Sequence, residues 1–151
     1  MSLTTTTHLN LPGTAAAALA FYGEVFDGRV DLVRYRDAGM PADAPGAELV
    51  LFGQVESPSG FRIMAYDVPG GGDALLAGAT HRRDGVTTTE RPFFVSVRGS
   101  SVDEIAQCWE RLAADAVVIE AFAASAWSAG SGMLTDRFGV TWVLDVAASA
   151  G

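Results

Sequence analysis

The chain contains no lysine; its ten basic side chains are all arginine, at positions 29, 34, 36, 62, 82, 83, 91, 98, 111 and 137. That absence excludes a Schiff-base lysine, a pyridoxal-phosphate anchor and the lysine of a phosphate-binding loop, each of which needs a titratable or compact ammonium group. Histidine is scarce too, with only His8 and His81, and Cys108 is the single cysteine. One thiol cannot close an internal disulfide, and its place in a predicted helix marks Cys108 as a structural side chain rather than a nucleophile. The arginines are outnumbered by 18 acidic residues, for a formal charge of −8, and they are scattered. No basic stripe forms, so a nucleic-acid partner is excluded. No apolar run approaches the ~20 residues that span a bilayer, and the opening Met-Ser-Leu-Thr-Thr-Thr-Thr has neither a charged leader nor an apolar signal core. A cytoplasmic protein with no membrane partner is expected.

What is present suits a compact fold: 151 residues, 49% hydrophobic and 19% charged, enough for one well-filled domain. Residues 9–11 end a short strand, and Pro12-Gly13-Thr14 is a turn whose threonine can cap the helix that follows. In that helix Ala15, Ala18, Leu19, Tyr22, Val25 and Phe26 recur at helical spacing, and Gly28 stands where a C-terminal cap is expected. Strands are predicted over 29–36, 48–52 and 61–67, the last two joined by a hairpin loop of Glu56-Ser57-Pro58-Ser59-Gly60. From 68 to 91 periodicity is lost between Pro69-Gly70-Gly71-Gly72 and Thr87-Thr88-Thr89, the composition of a linker. Beyond it come a strand over 93–98, a helix opened by the Ser101 and Glu104 capping box with Val102, Ile105, Trp109 and Leu112 on one stripe, and strands over 117–122, 132–135 and 140–146.

Each half therefore has the order βαβββ, and the halves can be superposed as sequences. Gly13 matches Gly99, Tyr22 matches Trp109, Asp27 matches Asp115, and Gly60-Phe61-Arg62-Ile63 matches Gly139-Val140-Thr141-Trp142. An offset that drifts at loops while element order is kept is the mark of a divergent duplication.

These residues resemble a known family. Leu9-Asn10-Leu11-Pro12-Gly13, Ala18-Leu19-Ala20-Phe21-Tyr22, Phe26-Asp27-Gly28, Trp127 and, most specifically, Gly132-Met133-Leu134-Thr135-Asp136-Arg137-Phe138-Gly139-Val140-Thr141-Trp142 resemble the vicinal oxygen chelate superfamily of glyoxalases, bleomycin-resistance proteins and extradiol dioxygenases, in its PhnB-like branch. The resemblance runs over nearly the whole chain. It implies an α+β fold in which two βαβββ modules, 4–67 and 92–147 with linker 68–91, form a curved eight-stranded mixed sheet around a concave pocket, helices outside. It also implies a small-molecule ligand and a homodimer, the pocket lying within one chain or across two. Part of the branch is labelled as demethylubiquinone methyltransferase, but the sequence has no glycine-rich turn after a first Rossmann-like strand to hold a methyl donor.

Many members chelate a divalent metal through His and Glu from the first and last strands of each module. Counting four residues on from Gly60 and Gly139 gives Met64 and Val143, neither a hard ligand, and the start of the second module gives Pro92 or Phe93. Gapless counting from Gly13 puts Thr7 at the first-strand position. Strand alternation instead sends Leu9 and Leu11 under the helices and turns His8 and Asn10 to the pocket face, so His8 is preferred. One histidine binds metal weakly unless Asp67, Glu90 or Asp145 is recruited.

The ligand-pocket residues expected are thus His8, Asn10, Arg62, Val143 and Trp127, whose indole, in an Ala- and Ser-rich loop, could stack on a planar ligand. Arg62 and Arg34 could clamp an anion but more often pair with an acid across a sheet. His81, followed by Arg82, Arg83 and Asp84 in the linker, reads as a solvated loop residue. Asp136-Arg137-Phe138-Gly139 reads as a turn, Asp136 capping backbone N–H groups, and Trp142 as a core residue. No catalytic residue is assigned. The leading expectation is a pocket that binds a small organic molecule without metal or other cofactor. The alternatives are a metal-dependent lyase or dioxygenase with an atypical site at His8, and a protein-interaction module with no ligand.

Overall fold

The computed structural model describes residues 2–148. They fall into two compact units that divide between residues 76 and 77.

The first unit runs β1 (Thr7–Leu11), α1 (Ala15–Phe26), β2 (Arg29–Arg34), β3 (Val50–Glu56) and β4 (Arg62–Asp67), with single 3-10 turns at Tyr35–Ala38 and Asp73–Leu76. Its four strands form one sheet in the order β1-β4-β3-β2. The β1–β4 pair is parallel and the other two are antiparallel. Alternation decides which face is covered. Leu9, Leu11, Val55, Ile63 and Ala65 are buried with Ala15, Ala18, Leu19 and Tyr22 of α1, whereas His8 and Asn10 between them are exposed.

Both ends of α1 differ from the sequence expectation. Thr14 makes no side-chain cap. The buried carboxylate of Asp67 takes that place, accepting from Ala15 N and Val50 N at 2.9 Å each, so the end of β4 closes the helix start and the start of β3 together. An anionic acceptor suits the positive end of the helix dipole. At the other end Asp27, not Gly28, takes the left-handed position, at φ 53°. Gly28 is needed for a different reason, because a Cβ there would lie 2.6 Å from Val55 Cγ1.

The second unit runs β5 (Thr80–Arg83), β6 (Val86–Thr89), β7 (Val95–Gly99), α2 (Val102–Leu112), β8 (Val117–Ala123), β9 (Ser131–Thr135) and β10 (Thr141–Val146). Its sheet has the order β7-β10-β9-β8, again with one parallel pair, β7–β10. Segment 68–91, which the sequence presents as an aperiodic linker, carries the β5–β6 hairpin. The hairpin has no buried residue, and Thr80 and Thr89 join their hydroxyls across it at 2.8 Å. A strand pair held by polar cross-strand contacts leaves no apolar alternation to detect. Ser101 caps α2 by accepting from Glu104 N, which is the serine half of the expected capping box. Trp142, Leu134, Leu144 and Leu112 are fully buried. The Trp142 indole donates to Asp136 Oδ2 at 2.8 Å, and Asp136 Oδ1 accepts from Phe138 N and Val140 N, fixing the turn before β10.

The duplication is visible in the backbone. Asp27 and Asp115 both sit left-handed after their helices, at φ 53° and 59°, and Gly60 and Gly139 share the turn before the last strand at φ 101° and 86°. The Gly13 and Gly99 match does not hold, because Gly99 is the last residue of β7 and pairs with Val146 as Leu11 pairs with Asp67.

Candidate functional site

In each unit the candidate site is the sheet face turned away from the helix. On the first unit β1 contributes His8 and Asn10, and β4 contributes Arg62, Met64 and Tyr66. The register sets His8 beside Met64 and Asn10 beside Tyr66, with Gln54 across from Met64 and Glu56 across from Arg62. The imidazole of His8 meets the Tyr66 ring edge-on, centroids 4.5 Å apart at 90°. Charges on this face are paired: Arg62 with Glu56 at 2.9 Å, Glu56 also accepting from the Gln54 amide at 3.0 Å, and Arg29 with Asp31 at 3.0 Å. Arg34 is occupied as well, donating to Glu48 O at 2.6 Å.

On the second unit Val143 pairs with Ser96 on β7 and Met133 on β9, and Met133 pairs with Glu120 on β8. Arg98 and Asp145 are register partners joined by a two-pronged ion pair, with contacts of 2.8 to 3.2 Å. Hydrogen bonding to Asp145 and its negative charge raise the Arg98 pKa above the ordinary arginine value. Glu120 receives Arg82 from the β5–β6 hairpin, and Arg82 also donates to Thr87 Oγ1 at 2.8 Å.

The predicted residues thus divide. His8, Asn10 and Arg62 share one face of the first unit's sheet, and Val143 lies on the corresponding face of the second. Trp127 stands on the loop between β8 and β9 with 84% of its surface exposed, its backbone N–H directed to Ser125 Oγ. Tyr66, Gln54, Ser96 and Glu120 were not anticipated. Tyr66 was within reach, since alternation from Met64 puts residue 66 on the same face.

The register also identifies the second-module strand position that sequence counting left at Pro92 or Phe93. His8 lies beside Met64 in one parallel pair and Ser96 beside Val143 in the other, so the second-module counterpart of His8 is Ser96. The first unit's pair is an imidazole and a thioether, and the second unit's pair a hydroxyl and an alkyl group; with one imidazole nitrogen and no carboxylate, neither pair fits a divalent cation. The acids that could be recruited are engaged: Asp67 is buried on the helix side with both oxygens bonded, Glu90 accepts from Ala79 N at 2.8 Å, and Asp145 holds Arg98. Among the described residues no three His, Cys, Asp or Glu side chains converge.

Comparison with known proteins agrees with this architecture. The chain is similar over 97% of its length to protein PA1353 from Pseudomonas aeruginosa, at 23% identity, TM-score 0.76 and 98% coverage of that chain. It resembles the PhnB protein from Bacillus cereus at 23% identity and TM-score 0.68, over 96% of this chain and 100% of that one. A glyoxylase/bleomycin resistance protein/dioxygenase domain from Frankia sp. EAN1pec follows at 19% identity and TM-score 0.64, over 98% and 99%. At such identities these likenesses establish the fold alone. No curated protein matches the chain significantly. The model of the Glyoxalase/Bleomycin resistance protein/Dioxygenase superfamily matches residues 8–144, nearly the full chain, and the protein therefore belongs to that superfamily.

Proposed function

We propose that the protein binds a small organic molecule on the helix-free face of its first unit, and that this binding does not depend on a divalent metal. The observation that carries the reading is the donor set at the positions that the family resemblance, carried along the strand register, implies for metal ligands: His8 and Met64 on the first unit, Ser96 and Val143 on the second, one imidazole and no carboxylate. What the first face offers instead is a polarisable Met64 flanked by His8, Gln54, Asn10 and Tyr66, the mixture of apolar contact and directional hydrogen bonding that small-molecule sites use. Such a face orients a molecule through apolar contact and hydrogen bonds.

The test is to incubate the protein with Zn, Ni, Mn and ferrous ions, remove the excess and measure bound metal, then screen metabolites and antibiotics by melting temperature with and without each ion. Substoichiometric metal, together with a metal-independent rise in melting temperature for at least one compound, is expected. Stoichiometric metal that disappears in His8→Ala overturns the reading in favour of a metal enzyme. A panel with no stabilising compound overturns it in favour of an interaction module.

A further inference from the structure

We infer that the ligand of the first unit's face carries no net charge, and that Asn10, Tyr66 and His8 recognise it through hydrogen bonds. This rests on the binding role proposed above and adds the chemical class of the ligand. The first observation is the state of the charges. The four ionised residues that the register places on this face, Arg29, Asp31, Glu56 and Arg62, form two ion pairs, and the Gln54 amide supports Glu56 further. An anion that took Arg62 would strip Glu56 of its partner, and a cation that took Glu56 would do the same to Arg62. Exchanging one partly exposed pair for another gains little and adds the cost of desolvating the newcomer. The face therefore discriminates against both signs.

The second observation is the state of the neutral polar groups. Among the described residues the side chains of His8, Asn10 and Tyr66 have no hydrogen-bond partner; the edge-on contact of His8 with Tyr66 is their one polar-ring interaction. Asn10 and Tyr66 are register neighbours, and His8 sits two residues before Asn10 on the same strand, so three groups that can each donate and accept stand together.

The third observation comes from the other unit, where the same backbone positions have been filled differently. The counterparts of Asn10 and Tyr66 are Arg98 and Asp145, which satisfy each other through three contacts. Strand pairing is the same in both units, so it does not require the open trio. The first unit keeps hydrogen-bonding capacity available where the second closes it internally. An uncharged planar group with both a donor and an acceptor, such as a carboxamide or a phenol, matches the trio and can lie against Met64.

Three probes of nearly one shape separate the classes: benzamide, benzoate and benzamidine, titrated at millimolar concentration into isotope-labelled full-length protein and followed by backbone amide shifts. Benzamide is expected to perturb β1 and β4 and to bind about ten-fold tighter than either charged analogue. Asn10→Leu and Tyr66→Phe are each expected to weaken it several-fold with the remaining spectrum unchanged. Glu56→Gln, which frees Arg62, is expected to raise benzoate affinity selectively. Benzoate or benzamidine binding at β1 and β4 as tightly as benzamide overturns the inference, and so does a lack of perturbation there by all three probes. If some compound of the wider panel stabilises the protein while benzamide is not preferred, the charge class alone has failed. If no compound stabilises it, the binding role has failed as well.

Discussion

Asp67 joins three elements with one carboxylate, and the cost of losing it follows from the two backbone N–H groups it serves. Asp67→Ala leaves Ala15 N and Val50 N without their acceptor in a buried setting, at about 1–3 kcal/mol for each orphaned group. A loss of about 2–6 kcal/mol is expected in urea unfolding, against which Thr14 provides the control. The Thr14 hydroxyl is buried with no partner among the described residues, so Thr14→Val is expected to be neutral or to stabilise by up to about 1 kcal/mol. If Thr14→Val costs as much as Asp67→Ala, the threonine is the true cap. From sequence the two residues are easily exchanged, because Thr14 adjoins the helix whereas Asp67 lies 52 positions from Ala15. Local pattern identifies a capping position but not a partner delivered by tertiary folding.

The packing of α1 on its sheet turns on Gly53, in the middle of β3. A Cβ added there would overlap Leu19 Cδ1 and lie 2.9 Å from the carbonyl oxygen of Ala65, so Gly53→Ala must push the helix outward or break a β3–β4 bond. We expect about 1–3 kcal/mol of destabilisation, with faster amide exchange in β3 and α1 and little change in the second unit. Exchange that rises equally in both units would contradict this. Elements such as α1, β4 and β10 were legible from the chain because each buries one face, so apolar spacing marks them. The β5–β6 hairpin was not, because its strands bury nothing. The same contrast runs through the site. His8 and Asn10 could be assigned to the open face because Leu9 and Leu11, which alternate with them, are core residues, whereas Ser96 was missed because its register depends on a match between Gly13 and Gly99 that the backbone does not keep.

Across the whole molecule, the absence of lysine makes trypsin a sparse probe, with arginine as the only basic residue on which it can act. Arg82 and Arg83 lie on the hairpin that is tied by Arg82 to Glu120 and has no core of its own. Native protein is therefore expected to be cut first at this hairpin, giving two large fragments, and to be cut several-fold faster in Glu120→Gln or in high salt, where the ion pair is weakened. A first cut at Arg29 or Arg111 would show that the hairpin is not the least protected segment. The parallel β1–β4 pair has a different consequence, one in time. During synthesis β1 is the first strand of its unit to emerge, yet its partner is the last strand of that unit, and Asp67, which secures α1 and β3, is the last residue of that partner. The first unit can therefore gather helix and hairpin on the ribosome but cannot close its sheet until residue 67 is outside, so the final step of its folding is timed by translation.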